Sequence, residues 1–324
     1  VSESISIRWE MGARNQHTTP PHIAPPLHEH MVTLPVRKGR RLEKLSKYAM
    51  TQTPSQSSSD FIRPPVVAGQ FYPSDAVKLA AEVDGYLAAA KAGSVGKDDT
   101  SPKALIVPHA GYMYSAPVAA TAYASLTPLR SIAHRVVIMG PAHRVMLNGL
   151  ALSGAASFAT PLGEVAVDHE AYEAIIDLSQ VCVMDEAHAS EHSIEVHLPF
   201  LLSCLDDFAI VPLVVGRASA QEVAQVLERL WGGPETLIVI SSDLSHYHDY
   251  DTATRMDAAT SHAIETLAPD DIDEEGACGR IPVRGLLTVA REKGLHAQTV
   301  DLRNSGDTAG PCDQVVGYGS YVVS

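Results

Sequence analysis

The sequence has few of the residues that define several common protein classes. Its 324 residues include only four cysteines, at positions 182, 204, 278 and 312, and no C-x-x-C pair. This spacing excludes a disulfide scaffold and a zinc ribbon, and it predicts a reducing, cytoplasmic compartment. No apolar run approaches the roughly eighteen residues that a membrane-spanning helix needs, so no membrane span is predicted.

Positive charge is also scarce. There are 24 lysines and arginines against 38 aspartates and glutamates, which gives a net charge of −14. Such a chain is not expected to bind nucleic acid or an anionic membrane. The patterns G-x-G-x-x-G, G-x-S-x-G and H-E-x-x-H are missing, and so is a P-loop. The usual signatures of nucleotide binding, serine hydrolysis and zinc proteolysis are therefore excluded.

The first 60 residues differ in composition from the rest. Positions 1–50 hold eight basic and four acidic residues, prolines cluster between positions 20 and 35, and apolar periodicity is missing. We predict that residues 1–60 are a disordered extension and linker. Because the chain begins with Val1, one hypothesis is an over-extended gene start with Met50 as the true initiator.

The remaining sequence alternates between strand and helix patterns, and the chain is 45% hydrophobic, enough for a large core. Apolar runs predict strands at 104–107, 135–139, 149–153, 164–167, 209–215, 237–241, 297–302 and 315–322, with 149–153 and 164–167 paired in a hairpin over 161–163. Helices are predicted at 77–92, 117–126, 169–178, 193–205, 220–230, 257–267 and 282–292. This alternation predicts one layered α/β domain over residues 61–324.

Three of these strands end in a turn that carries a metal-binding or proton-transfer side chain. His109 follows the strand at 104–107, and His143 follows the strand at 135–139. Asp243 and His246 follow the strand at 237–241. In open α/β sheets ligands bind at the carboxyl ends of strands. A single loop histidine usually makes only local hydrogen bonds, but the repeated placement favours His109 and His143 as ligands of one first-row metal ion.

Other candidate residues each have two interpretations. Asp243 either orients an imidazole beside the metal or caps the helix that follows, and His246 is a candidate proton carrier. Cys278 lies just before a helix and near Arg280, a setting that favours the thiolate that ligates metals. The alternative for Cys278 is a small buried hydrophobic residue, which is the common fate of a free cysteine.

Acidic and imidazole side chains are dense between positions 191 and 197. Glu191 and Glu195 are four residues apart and are expected to share a helix face. We interpret His192 as a wall of the site that moves protons, and His197 as supporting structure.

Five motifs, in order along the chain, resemble those of the Memo family, also known as AmmeMemoRadiSam system protein B. They are Pro-His-Ala-Gly-Tyr at 108–112, Gly-Pro-Ala-His at 140–143, Glu-His-Ser-Ile-Glu-Val-His-Leu-Pro-Phe at 191–200, Ser-Ser-Asp-Leu-Ser-His at 241–246 and Cys-Gly-Arg at 278–280. The resemblance covers about residues 63–323. It implies a central mixed sheet flanked by helices, similar to the class III extradiol dioxygenase fold.

The resemblance also implies a ligand set. Extradiol dioxygenases of this class hold non-haem Fe(II) with two histidines and a glutamate, whereas Memo proteins have His, His and Cys, which correspond here to His109, His143 and Cys278. Asp243 and His246 correspond to polar residues of the same pocket. At Arg144 the chain departs from the family, which often has a second histidine there.

The expected function is redox or dioxygenase-like chemistry with iron or copper on a small substrate, with Asp243, His246 and His192 as the catalytic side chains. A thiolate ligand favours Cu(I), zinc or iron. The alternatives are a non-enzymatic adaptor that binds a peptide in the same pocket and a zinc-dependent hydrolase. Family context implies a radical-SAM protein and an AMMECR-like protein as partners.

Overall fold

Three buried apolar runs lie side by side at the centre of the fold. The computed structural model describes residues 61–93 and 101–324. Ala104–Val107, Arg135–Pro141 and Thr236–Ser241 are strands in which every residue except Arg135 is buried. Continuous burial, without alternation, is typical of strands that are covered on both faces.

The strands in chain order are β1 (Ile62–Arg63), β2 (Ala104–Val107), β3 (Arg135–Pro141), β4 (Leu150–Leu152), β5 (Ser157–Thr160), β6 (Gly163–Val167), β7 (Val181–Val183), β8 (Ala209–Val215), β9 (Thr236–Ser241), β10 (His246–His248), β11 (Ala297–Asn304) and β12 (Val315–Val323). The α-helices are α1 (Ala76–Gly93), α2 (Tyr112–Tyr123), α3 (Asp185–Ala189), α4 (Leu198–Cys204), α5 (Ala220–Leu230), α6 (Tyr250–Glu265), α7 (Arg280–Glu292) and α8 (Ser305–Thr308).

The strands form one mixed sheet flanked by helices. Its order is β1-β5-β6-β8-β3-β9-β2-β12-β10, with β11 paired to β12 and β4 paired to both β8 and β7. The central strands β8, β3, β9 and β2 are parallel, whereas β12 runs antiparallel to β2. The predicted α/β class and mixed sheet are confirmed. Parallel central strands place their carboxyl ends at one edge of the sheet.

Two helices hold the segment that carries Cys278. Helix α5 begins with a capping box in which Ser219 and Glu222 exchange hydrogen bonds with each other's backbone N–H groups. Helix α7 packs against α5 at Gly285, where an added Cβ would lie 2.3 Å from Cγ1 of Val223. The close approach therefore requires glycine, and it fixes the start of α7, two residues after Cys278.

Several elements differ from the prediction. Strand β6 forms its hairpin with β5, not with β4, which pairs instead with β7 and β8. β5 was missed because Ser157 and Thr160 interrupt its apolar pattern. The predicted helix at 169–178 is only a 3₁₀ turn, Glu170–Ala174. The short helix α3 forms at Asp185–Ala189, where no helix was predicted.

Helix boundaries also differ, and α2 begins at Tyr112 rather than 117. The predicted helix at 193–205 is a 3₁₀ turn, Glu195–His197, followed by α4, and Pro199 lies in the first turn of α4. Proline has no N–H to donate, so it fits a helix start better than a helix interior. Helix α6 begins at Tyr250 rather than 257, because the Asp249 side chain accepts a 3.0 Å hydrogen bond from the Thr252 N–H and caps it.

The predicted extension at residues 1–60 lies outside the described residues. Within residues 61–93 and 101–324, no helix combines the length and the apolarity that crossing a membrane requires.

Candidate metal centre

The carboxyl ends of three adjacent parallel strands bring predicted site residues together. Strand β9 lies between β3 and β2 and is parallel to both. His109 follows β2, His143 follows β3 and Asp243 follows β9. These side chains therefore meet at one edge of the sheet, as the strand-end pattern of the sequence indicated.

His109, His143 and His192 form one cluster. One nitrogen of each ring lies within 4.8 Å of a nitrogen of the other two rings. The ring of His143 stacks on that of His192 with centroids 4.8 Å apart, and the ring of His109 meets them edge-on at 5.1 and 5.5 Å. Three imidazoles at this spacing could hold a metal ion. His192, interpreted from the sequence as a proton carrier, thus lies among the potential ligands.

Glu191 fixes the orientation of His143. Its Oε1 lies 3.0 Å from His143 Nδ1, and its Oε2 accepts a 2.7 Å hydrogen bond from the His143 backbone N–H. Burial raises the pKa of Glu191, but the hydrogen bonds and the charge of His143 outweigh burial and lower the pKa to about 2. An ionised carboxylate can only accept, so Nδ1 of His143 carries a proton, and in the neutral ring Nε2 presents the lone pair.

Ser241, the last residue of β9, fixes the tautomer of His109. The Ser241 hydroxyl donates to the backbone carbonyl of Ser193 at 2.6 Å, which uses its only proton. Its oxygen must therefore accept from both His109 Nδ1, at 2.6 Å, and His197 Nε2, at 2.9 Å. His109 consequently carries its proton on Nδ1 and presents the Nε2 lone pair to the cluster. Tyr123 donates to Nδ1 of His197 at 3.0 Å and completes the network.

Burial favours the neutral form of two of the clustered histidines, His109 and His192. Burial lowers the pKa of His109 well below its ordinary value, and the neighbouring His143 lowers it further. Burial likewise lowers the pKa of His192, although Glu191 opposes the shift. A neutral imidazole is the form that binds metals, so protons compete weakly with a cation here.

Asp243 and Cys278 are joined to His109 and to each other. Oδ1 of Asp243 accepts a 2.7 Å hydrogen bond from the His109 backbone N–H. The Asp243 backbone N–H donates to Cys278 Sγ at 3.3 Å, and the Cys278 N–H donates to the Asp243 carbonyl at 3.2 Å. Cys278 Sγ lies 3.4 Å from His109 Nε2 and 3.6 Å from the Asp243 carbonyl oxygen, the two acceptors within reach of its single thiol proton.

One of the two interpretations of Asp243 is wrong, and so is one of the two interpretations of Cys278. Asp243 does not cap the following helix; Asp249 does, and Asp243 instead binds the His109 backbone. The pKa of Cys278 is not lowered by the helix terminus and Arg280. Burial raises it well above its ordinary value, and the nearby Asp243 carboxylate adds to the effect. Without a metal the side chain is therefore a thiol.

The donor atoms of the cluster fit a metal ion. Nδ1 of His192 is buried, and no hydrogen-bond partner for it lies within residues 61–93 or 101–324. Glu191 Oε1 is 3.3 Å away but poorly placed to accept from it. A buried polar atom without a partner is unusual in a folded protein and calls for an explanation such as a bound ion. The lone pairs of His109 and His143 Nε2 supply two further donors.

Two cavities open onto this edge of the sheet and share Cys278 and Arg280. The larger, of about 520 Å³, is lined by the segment 141–148 that contains His143, by 215–217 and by the start of α7. The smaller, of about 310 Å³, is lined by His246 and His248 together with Glu274 and Glu275. His246, predicted as a proton carrier, thus lines the smaller cavity together with Cys278.

Comparison with known proteins gives a consistent assignment. A family model described as "Memo-like protein" matches residues 63–322. The chain belongs to this Memo-like family. It is 34% identical to a MEMO1 family protein of Sulfolobus acidocaldarius, over 79% of this chain and 97% of the relative. Against a MEMO1 family protein of Ignicoccus hospitalis, identity is 36% over 79% of this chain and 96% of the relative.

Membership of the Memo-like family confirms the resemblance seen in the sequence motifs. The matched range contains the histidine cluster, Asp243 and Cys278. Sequence reasoning missed Ser241 and Glu191 as the residues that orient the ligands, although both lie inside motifs singled out for their neighbours. A hydroxyl at the last position of a buried strand, and a carboxylate next to a histidine, are the signals that could have found them.

The spacing of Glu191 and Glu195 predicted that they share a helix face, but the two side chains act at different places. Glu195 is fully buried and forms a 2.7 Å ion pair with Arg63 of β1. It also accepts hydrogen bonds from the Tyr72 hydroxyl and from the Val66 and Val67 backbone N–H groups. Glu195 therefore holds residues 63–72 against the rest of the domain, whereas Glu191 orients His143 in the histidine cluster.

Proposed function

We propose that this Memo-like protein binds iron or copper at the histidine cluster and carries out redox or dioxygenase-like chemistry on a small substrate. His109, His143 and His192 would each supply an imidazole nitrogen. The observation that carries the proposal is the convergence of one nitrogen from each of these three rings within 4.8 Å, supported by hydrogen bonds that hold a proton on Nδ1 of His109 and His143 and so direct Nε2 to the cluster.

Cys278 is proposed as a further ligand. Its Sγ is 3.4 Å from His109 Nε2. Two ligands of one tetrahedral ion, with metal–sulfur and metal–nitrogen bonds of about 2.3 and 2.0 Å, are about 3.5 Å apart. A thiolate there favours a soft or borderline metal such as Cu(I) or iron. Because burial keeps Cys278 protonated, metal binding would release one proton from this thiol.

The surrounding residues support proton movement and ligand orientation. A bound iron or copper ion would supply electron transfer or oxygen activation. Asp243 holds the His109 backbone and keeps its ring at the cluster. His246 donates from Nδ1 to the Leu244 carbonyl at 2.8 Å, which leaves Nε2 free to exchange protons with solvent in the smaller cavity.

Anaerobic loading with Fe(II), Cu(I) and Zn(II) tests the proposal. We expect about one iron or copper ion per chain in the unmutated protein and its loss in His109→Ala, His143→Ala and His192→Ala. His262→Ala is the matched control, because His262 is an exposed histidine on α6 away from the cluster. Metal contents that are equal in the cluster variants and the control would refute the proposed site.

A zinc-dependent hydrolase is the second candidate. Three histidines with an open position are a ligand set that zinc adopts in catalytic sites. Stoichiometric zinc with no iron or copper binding would favour this candidate. A chain that binds no metal would favour the peptide-binding adaptor. We propose a cytoplasmic location from the cysteine usage, and partnership with radical-SAM and AMMECR-like proteins from family context.

A further inference from the structure

The larger cavity next to the cluster has an unusual charge. Its lining contains three arginines, Arg144, Arg217 and Arg280, and no acidic residue. The protein as a whole carries a net charge of −14, so a cavity with only cationic charged side chains runs against the general composition. Apart from these arginines and His143, the walls are largely apolar, with Val145, Met146, Leu147 and Ile281 among them.

The three arginine side chains that line the cavity differ from several others in their pairing. Several other arginines form ion pairs: Arg63 with Glu195, Arg135 with Asp168 and Arg229 with Asp177. Among residues 61–93 and 101–324, no hydrogen bond or ion pair engages the side chain of the exposed Arg144 and Arg217 or of the half-buried Arg280, which all line the cavity.

Arg280 is placed where a cation is disfavoured. It is the first residue of α7, so its charge lies at the positive end of the helix dipole. Unlike a fully exposed arginine, it is half-buried, so water screens this repulsion less. An anion in the cavity would interact favourably with the helix terminus and with the guanidinium group at once.

The cavity reaches the metal-binding residues directly. His143 and Cys278 form part of its lining, together with the arginines. A molecule that fills it would therefore have one end against two proposed ligands and another against guanidinium groups. Arginine pairs most strongly with carboxylate and phosphate, whose oxygens match its fork of N–H donors.

We propose that this cavity binds the carboxylate or phosphate group of a small substrate and holds the rest of that substrate against the metal centre. The inference rests on the proposed function for the role of the bound molecule, but anion binding itself does not require a metal. Arg144, Arg217 and Arg280 are the residues that bind the anion, and the apolar walls accommodate the body of the molecule.

Calorimetric titration of the full chain with inorganic phosphate, with succinate and with the neutral analogue succinamide tests this inference. We expect phosphate or succinate to bind and succinamide not to bind. Each of Arg144→Gln, Arg217→Gln and Arg280→Gln should lower anion affinity roughly tenfold, because each removes a charge-assisted hydrogen bond. The triple variant should not bind detectably.

Arg291→Gln is the matched control. Arg291 is an exposed arginine on the same helix as Arg280 but outside the cavity, so its loss should leave anion affinity unchanged. Failure of both anions to bind the unmutated protein, or a triple variant that binds them as tightly as the control, overturns the inference. Unfolding midpoints measured for every variant exclude loss of the fold as the cause.

Metal content measured on the same samples separates this inference from the proposed function. Arginine variants that keep their metal but lose the anion support the cavity assignment. Anion binding that needs these arginines, in a protein that takes up no metal, leaves the cavity assignment standing and refutes the metal proposal.

Discussion

Ser241→Ala is the substitution that most directly tests how the cluster is organised. The Ser241 hydroxyl oxygen accepts from His109 Nδ1 and His197 Nε2, and its proton goes to the Ser193 carbonyl. All four residues are buried, with exposed fractions of 0–1%. An alanine methyl group would leave two imidazole N–H groups and one carbonyl without partners.

The expected loss of stability follows from these three groups. Each buried polar group left without a partner costs about 1–3 kcal/mol. Allowing for some relaxation, the free energy of unfolding should fall by about 3–5 kcal/mol. Metal binding should also weaken, because His109 would no longer be held in the tautomer with a free Nε2. Loss of a residue that orients a ligand typically costs roughly 10–100-fold in metal affinity.

Urea unfolding and anaerobic metal titration measure the two effects. The matched control is Ser320→Ala: Ser320 is equally buried, but its hydroxyl makes a single 2.7 Å hydrogen bond, to the Val118 carbonyl, far from the cluster. That variant should lose only about 1 kcal/mol and keep its metal affinity. If Ser241→Ala loses no more than Ser320→Ala in both measurements, the tautomer assignment is refuted.

Three further predictions concern titratable groups. Cys278→Ser should weaken metal binding and make it less dependent on pH, because no thiol proton is released. The control variant Cys204→Ser should bind metal as the unmutated protein does. Equal metal affinity in the two variants would contradict the role of Cys278 as a ligand. Burial opposes ionisation of Glu191, but its hydrogen bonds lower its pKa from 4.5 to about 2, so the ionised carboxylate should add roughly 3 kcal/mol to the free energy of unfolding above pH 4.5 and lose that contribution as the pH falls towards 2. Urea unfolding of Glu191→Gln should no longer show this acid dependence. An unchanged pH profile in that variant would count against the assignment. Burial raises the pKa of Asp257 from 3.8 to about 6, so its protonated form favours folding and the protein should lose up to about 3 kcal/mol as pH rises from 4 through 6. Asp257→Asn keeps the acceptor for the Ser245 N–H and should therefore be more stable than the unmutated protein at pH 8 but not at pH 4, as urea midpoints at the two pH values would show.

The sheet edge and much of the site could be predicted because local patterns determine them. Short β-branched runs predicted β2, β3 and β9, and parallel neighbours necessarily end at one edge, which placed His109, His143 and Asp243 together. The position of His192 could not be derived in this way. It depends on a loop held by contacts between residues far apart in sequence, such as the 2.7 Å hydrogen bond that the His143 backbone N–H donates to Glu191.

The protonation state of Cys278 and the short polar strand β5 also could not be predicted from the sequence. The sequence favoured a thiolate at Cys278 from its place before a helix, but burial and Asp243 have the larger effect on the pKa, and burial depends on the whole fold. Similarly, β5 contains serine and threonine and is recognised as a strand only through its pairing with β6 and β1.

The hydrogen-bond network behind His109 determines the route by which protons can reach the centre. A proton relay needs donors and acceptors that all point the same way along the chain of bonds. Here Tyr123 donates to His197 and His197 donates to Ser241, but His109 also donates to Ser241 from the opposite side. Both imidazoles donate to the Ser241 hydroxyl, so this network offers no continuous proton relay from Tyr123 to the cluster. Any proton exchanged at the cluster would therefore pass on the solvent-facing side, where His246 lines the smaller cavity.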